Sequence, residues 1–465
     1  MTTATKKIST FALVMLIVVS IDSIRNLPAT ALFGDTLIFF FIFASVVFLI
    51  PAALISAELS SAWTEYGGVF DWTRMAFGNK VGFLAIWLQW INTMVWFPTI
   101  LSFIAGTIAF LIDPALVENR VYLVSIILIS FWAITIINLY GIKTSARFAS
   151  ICCVLGFIIP VLLIIGFSMT WLVMGKPIHL HFQLDTLLPK MGHSESWISL
   201  TAIMTAFLGM ELATVHVRQV ENPQKTFPKA MFYSVLIILI TMIMGAFAIA
   251  IVIPRDQINI VDGVMQAFGV FFSGYHLKFL LPVLMIMILI GSFGEMINWV
   301  ISPAKGLLRA AKYHFMPDYF AKENSYGVAA HVLIIQALLV SLICVAFLFM
   351  PTVNASYWLL TDLSTQLYML MYLLMFVSAI RLRFKYPDQE RPFAIPFGKF
   401  GTCVVGLLGL FGCVVTLIVG FFPPDSIDVG GHMHYIIAFT SGIVIMIAPV
   451  ILFYIYHGVR LKRDI

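Results

Sequence analysis

The stretch Ser20–Thr30, "SIDSIRNLPAT", sets Asp22, Arg25, Asn26 and Pro28 in the middle of a long apolar run that begins near Thr10. In hydrocarbon such a segment is costly. An ionisable side chain at mid-bilayer costs about 2.5–3.5 kcal/mol on insertion scales, and it usually marks a cavity or a partner. Pro28 has no N–H and cannot continue a helix from the turn before it, while Asn26 is a favoured N-cap. A new half-helix is therefore expected to begin near Leu27 or Pro28. Its first amide groups would form an anion site, to which Arg25 adds a full charge and a two-pronged donor. The alternative is that Asp22 and Arg25, at i and i+3, neutralise one another and the proline only kinks a packed helix.

The rest of the chain makes a membrane setting the only consistent one. Of 465 residues, 61% are hydrophobic and 11% are charged, whereas soluble domains carry roughly 25% charged residues. A bilayer crossing needs about 20 apolar residues. Runs of that kind recur at 10–33, 36–57, 81–111, 121–141, 147–174, 196–219, 230–253, 277–304, 328–350, 356–380, 400–422 and 434–457, giving an all-α integral membrane protein of twelve transmembrane helices. The first run is too long for a signal peptide and no small-residue cleavage site follows it, so it is expected to stay in the protein.

Of the 27 Lys and Arg residues, an N-terminus in the cytoplasm puts 21 on the inside, five outside and Arg25 within the membrane. By the positive-inside rule both termini are expected to be cytoplasmic. The net charge of +5 follows from that distribution and gives no reason to expect nucleic-acid binding. All five cysteines fall within spans, without metal-ligand or disulfide spacing. The inside segment 305–324, "KGLLRAAKYHFMPDYFAKEN", reads as a short surface helix.

Two further spans carry charge. In the sixth, "FLGMELATVHV" places Gly209 two residues before Glu211, with Thr214 and His216 following. A glycine beside a carboxylate suggests unwound backbone, where the acid either receives a substrate ammonium group or bonds the freed amides of its own break. In the eighth, Glu295 shares a helix face with Ser292, Asn298 and Trp299, and a carboxyl removed from water is a candidate proton carrier; the competing reading pairs it with Arg25. Gln89, Asn92, Thr93, Trp90 and Trp96 give the third span one polar and aromatic face that can line a cavity. Spans one and six lie five helices apart, the spacing expected of two inverted five-helix repeats whose first helices are broken at mid-membrane.

These residues sit within longer strings that resemble a known group. "ELSSAWTEYGGVFDWTRMAFG" (58–78), "ELATVHVRQVENPQKTFPKA" (211–230) and "RPFAIPFG" (391–398) resemble the amino acid–polyamine–organocation (APC) transporter superfamily. "AIVIPRDQINIVDGVMQAF" (250–268), "GEMINWVISPAKG" (294–306) and "FFPPDSI" (421–427) are similar to its bacterial glutamate/γ-aminobutyrate antiporter branch. The resemblance implies a single transporter domain over 1–465 with a 5+5 inverted-repeat, leucine-transporter-like fold: repeat one about 8–174, repeat two about 196–382, and two further helices at about 399–458. It also implies alternating access in a bacterial inner membrane, moving an amino acid without an organic cofactor and without catalysis; exchange of one amino acid for another and uptake coupled to protons both remain open.

On that reading Asp22, Arg25, Asn26, Gly209 and Glu211 bind substrate, and Glu295, Asn298 and Trp299 line the cavity or couple protons. Those antiporters carry a polar C-terminal tail that plugs the cytoplasmic vestibule. The present sequence ends at Ile465, so gating by such a tail is not expected. No lysine lies in the core of the fifth span and no adjacent Ser/Thr pair in the eighth, so neither an internal cation nor a sodium site is expected. A polyamine or amine carrier of the same fold is the alternative cargo. A membrane enzyme is disfavoured by the absence of an HExxH helix or a carboxylate cluster, and a non-transporting sensor by the lack of a signalling domain.

Overall fold

Among the described residues, ten helices are long and apolar enough to cross a membrane without interruption. They appear in a computed structural model that describes residues 8–64, 68–141, 151–152, 154–180, 197, 200–212, 214, 220–424 and 427–463. In chain order the elements are α1 (Thr10–Ile21), α2 (Leu27–Ala31), α3 (Gly34–Ala62), α4 (Val69–Phe77), α5 (Asn79–Ile112), α6 (Arg120–Leu139), α7 (Val154–Val173) and α8 (Leu200–Ala206). They continue with α9 (Pro223–Val252), α10 (Gly263–Gly274), α11 (Leu281–Ala311), α12 (Ala330–Phe349), α13 (Val353–Lys385), α14 (Gly398–Val419) and α15 (His432–Arg460). The two expected spans absent from the uninterrupted ten are the first and the sixth. The first is divided between α1 and α2, and the helix of the sixth ends at Ala206. Ten continuous spans and a first span broken in two are therefore seen among the described residues, and the sixth is interrupted after Ala206, its second half lying outside them.

Burial is distributed as a bilayer demands. α5 and α13 lie against each other at the centre, with Trp90, Phe97, Trp358 and Tyr372 fully buried. The outer helices turn Leu407, Phe411, Ile437, Ile445 and Leu452 outward. Between helices in lipid there is little hydrophobic gain, so close backbone approach supplies the cohesion. α7 and α11 meet in this way: a Cβ on Gly291 would lie 2.1 Å from the Cα of Gly156, and only glycine fits on either side. The contact comes one helical turn before Glu295 and falls in a π-helical segment, Val154–Ile158.

Two of the family-like strings meet at one end of the bundle. Glu58 lies 3.3 Å from Arg383 and 3.4 Å from Arg391, and its second oxygen accepts the Ile395 N–H at 2.8 Å. The expected surface helix at 305–324 takes a different form. α11 continues through Pro303 to Ala311, and only a single 3-10 turn, Asp318–Ala321, follows. Arg460, at 2.7 Å, and His314 hold the exposed Asp318 carboxyl below the usual range and tie this turn to the end of α15. Two helices, α4 and α10, of 9 and 12 residues, are too short to cross a bilayer.

Candidate functional site

The first break is an extended step. α1 stops at Ile21, and Asp22 (φ −77°, ψ 117°) and Ser23 (φ −137°, ψ 127°) run in β conformation before the 3-10 turn Ile24–Asn26 leads into α2. The new half-helix starts at Leu27, as Pro28 predicts. Asn26 does not cap it, however. Its backbone is already right-handed helical (φ −81°, ψ −16°), and its side chain makes no capping bond. The amides of Ser23, Ile24 and Arg25 have no backbone acceptor among the described residues.

The second break is bound to the first. After α8 the chain turns through Phe207–Glu211, with Gly209 at φ +108°, a conformation that favours glycine. A Cβ there would sit 3.5 Å from Ile21 Cγ1 and 3.6 Å from the Ser20 carbonyl oxygen. The sixth span therefore unwinds directly against the last turn of α1. Thr214 closes the turn by donating to the Glu211 carbonyl at 2.6 Å. His216 lies outside the described residues.

Asp22 and Arg25 do not neutralise one another. Asp22 is buried and accepts a hydrogen bond from Thr241 of α9, while its Oδ1 has no partner among the described residues. Arg25 points the other way: Nη1 reaches Thr99 Oγ1 at 3.3 Å and Tyr357 Oη at 3.4 Å, and the guanidinium lies 4.7 Å from the centre of the Trp96 ring. Its Nε is buried without a partner among the described side chains. Trp96 in turn packs on Trp299 with ring centroids 5.2 Å apart, which brings one expected α11 residue to the first break. No carboxylate among the described residues pairs with Arg25. Its contacts among the described side chains, which do not include that of Glu295, are neutral hydroxyls and an aromatic face.

Glu211 has the opposite surroundings. Its carboxylate accepts from Tyr368 and Tyr372 of α13 and from Gln89 Nε2 of α5, the last at 3.0 Å. The Tyr372 oxygen also accepts the Gly209 N–H at 3.0 Å, so one phenol holds both the acid and the backbone of the break. Of the other polar residues on the third span, Asn92 and Thr93 bond to carbonyls of their own helix. Glu295 and Asn298 lie near the middle of α11, one and two turns past the Gly156–Gly291 contact, but their side chains are outside the described set. Sequence reasoning missed Tyr357, Tyr368 and Tyr372; the i, i+4 spacing of the last two was the available signal.

α10 packs against α2. Gly263 abuts the Pro28 ring, and Asp262, at the head of α10, is buried with Oδ1 unpartnered. Burial first, and then repulsion from Glu118, push the Asp262 carboxyl up to about 7. A raised folded-state value means that the native protein holds a proton the unfolded chain has released. Stability therefore falls as pH rises from about 4 to about 7. Asp262→Asn should raise the melting temperature at pH 8 by several degrees and change it little at pH 5, which thermal unfolding in detergent at the two pH values will measure.

The geometry agrees with comparisons to known proteins. The family model described as amino acid permease matches residues 8–449. An uncharacterized transporter of Legionella pneumophila is 36% identical over 442 residues, covering 95% of each chain. A glutamate/gamma-aminobutyrate antiporter of Lactococcus lactis is 28% identical, covering 96% of this chain and 90% of its own. A probable agmatine/putrescine antiporter of the same species is 25% identical over 84% of this chain and 82% of its own. In fold, the chain is similar to the crystal structure of the Eremococcus coleocola manganese transporter, with a TM-score of 0.59, 12% identity and coverage of 96% and 95%. Two broken helices set side by side in a bundle with ten continuous spans, and a family match over nearly the whole length, lead to one conclusion: this chain is a multi-pass membrane transporter that belongs to the amino acid permease family.

Proposed function

We propose that the protein exchanges amino acids across a bacterial inner membrane by alternating access, as a single transport unit of two inverted repeats plus two helices, with both termini cytoplasmic. The observation that carries this reading is a buried cation, with no carboxylate partner among the described side chains, set beside two unwound segments. Arg25 and the amides of Ser23–Arg25 receive the substrate carboxylate. Asp22 Oδ1 and the carbonyls of the sixth-span break receive its ammonium group. Glu211 holds the second break through Tyr368, Tyr372 and Gln89.

A glutamate-like cargo accords with Arg25 and with the antiporter relatives. The agmatine/putrescine relative and the carboxylates of Asp22 and Glu211 favour an amine, against which the buried guanidinium counts. Glu295 carries the proton where one accompanies the substrate. Glu295→Gln should flatten the pH profile of uptake, and a profile unchanged between pH 5 and 8 would remove that role.

Counterflow in liposomes tests the reading as a whole. Vesicles holding the protein and preloaded with unlabelled glutamate, glutamine, γ-aminobutyrate or putrescine are given labelled glutamate outside. Accumulation that requires an amino-acid partner inside is the expected result. Accumulation that depends only on internal amines would overturn the choice of cargo.

A further inference from the structure

A second buried acid lies apart from the broken helices. Asp362 stands nine residues into α13, roughly 14 Å along its axis, and is 1% exposed. Its Oδ1 accepts Gln366 Nε2 at 2.8 Å and its Oδ2 accepts the Tyr435 hydroxyl of α15 at 2.6 Å. α14 closes the pocket: Gln366 also donates to the Thr416 carbonyl at 3.0 Å, and a Cβ on Gly420 would fall 2.8 Å from Asp362 Oδ1. Thr201 of α8 stands beside it. Among the described residues no Lys, Arg or His lies within ion-pair distance, and the titratable group that faces Asp362 from the packed elements is Tyr435.

A carboxylate in the bilayer without a counter-cation is expensive, and its retention calls for a use. The hydroxyl of Tyr435 has two acceptors in reach, Asp362 Oδ2 at 2.6 Å and the Gly420 carbonyl at 3.4 Å. We propose that Asp362 and Tyr435 form a reversible proton-binding site between α13, α14 and α15. With Asp362 ionised, Tyr435 donates to it. When a proton from water adds to Oδ2, the new O–H donates to the Tyr435 oxygen, and the phenol O–H turns to the Gly420 carbonyl. Each hydrogen has an acceptor in both states, and no covalent bond other than the new O–H changes.

Six and ten residues farther along α13 stand Tyr368 and Tyr372, which hold Glu211, and Thr365 bonds to Thr205 of α8 just before the break. Protonation on the flank of α13 therefore acts on the helix that anchors the sixth-span break.

Infrared difference spectroscopy of the full chain in liposomes, titrated between pH 5 and 8, reads this site without transport, so its outcome is independent of the exchange proposal. A carboxylic-acid C=O band that appears on acidification, shifts in D2O and disappears in Asp362→Asn is the expected result. Tyr435→Phe keeps the acid but removes the stronger bond to its charged form, and should raise the midpoint of that band by about one pH unit. Superimposable titrations of wild type and Asp362→Asn, or an unmoved midpoint in Tyr435→Phe, would overturn the site.

Discussion

Glu211→Ala is expected to lower the transport rate by at least about a hundredfold and to reduce thermal stability as well. The substitution strips the acceptor from three buried donors, the hydroxyls of Tyr368 and Tyr372 and the amide of Gln89. Each buried donor left unpaired costs about 1–3 kcal/mol. The loss falls on a segment that has no helical ladder of its own, because the chain from Phe207 to Glu211 is turn. Without the acid, Tyr372 keeps only the Gly209 amide, and the break is free to rearrange.

Glu211→Gln separates shape from charge. An amide oxygen can still accept from one tyrosine, but its NH2 group opposes the second phenol or Gln89, so an intermediate loss is expected. Counterflow rates and melting temperatures of the two variants, measured on the same preparation, are the check. A transport rate within a factor of three of wild type in Glu211→Ala would mean that the break does not depend on this acid.

Arg25→Ala has the second large effect, and its selectivity is what matters. The guanidinium is held by two neutral hydroxyls and the face of Trp96, with no carboxylate among the described residues set against it. Charge-assisted bonds to an incoming carboxylate are worth about 1.5–3 kcal/mol, which corresponds to a rise in apparent KM of roughly 10–100-fold. Substrates lacking a carboxylate should change by less than about threefold. Arg25→Lys should restore only part of the loss, since an ammonium keeps the charge but gives up the two-pronged geometry and the stacking on Trp96. Equal effects on amino acids and amines would reduce Arg25 to a structural counter-ion.

The residues that interrupt apolar runs were the informative ones in the sequence. Pro28 marked the start of the second half-helix, expected near Leu27 or Pro28 and found at Leu27, and Gly209 with Glu211 marked the sixth break. Together they separate the two broken crossings from the ten continuous ones. What the sequence left open was where the first helix unwinds. Two extended residues, Asp22 and Ser23, make the break, and the following 3-10 turn gives Asn26 a helical backbone from which its side chain cannot cap.

The partners of the charges were equally hidden. Spacing at i, i+3 on one helix suggested that Asp22 and Arg25 pair, yet the extended step between them turns one toward Thr241 and the other toward Thr99 and Tyr357. Local spacing ceases to predict contacts once a helix unwinds. Tyr368 and Tyr372 lie more than 150 residues from the acid they hold, and in the sequence they resemble any aromatic pair in an apolar span. The continuation of α11 past Pro303 likewise depends on tertiary packing: Ala304, Leu307 and Ala310 bury against the bundle, where an isolated segment would have ended at the proline.

The central claim is that substrate sits between the two breaks, and Ser23 offers the most direct view of that space. It is extended, half-buried and adjacent to both Asp22 and the free amides. In a Ser23→Cys variant reconstituted in liposomes, the rate of modification by a small thiol reagent should fall at least about fivefold when a transported amino acid is present at saturation, and should be unaffected by an amino acid that does not drive counterflow. Modification at the same rate with and without the transported substrate would contradict the account, because it would place the bound amino acid somewhere other than between the broken helices.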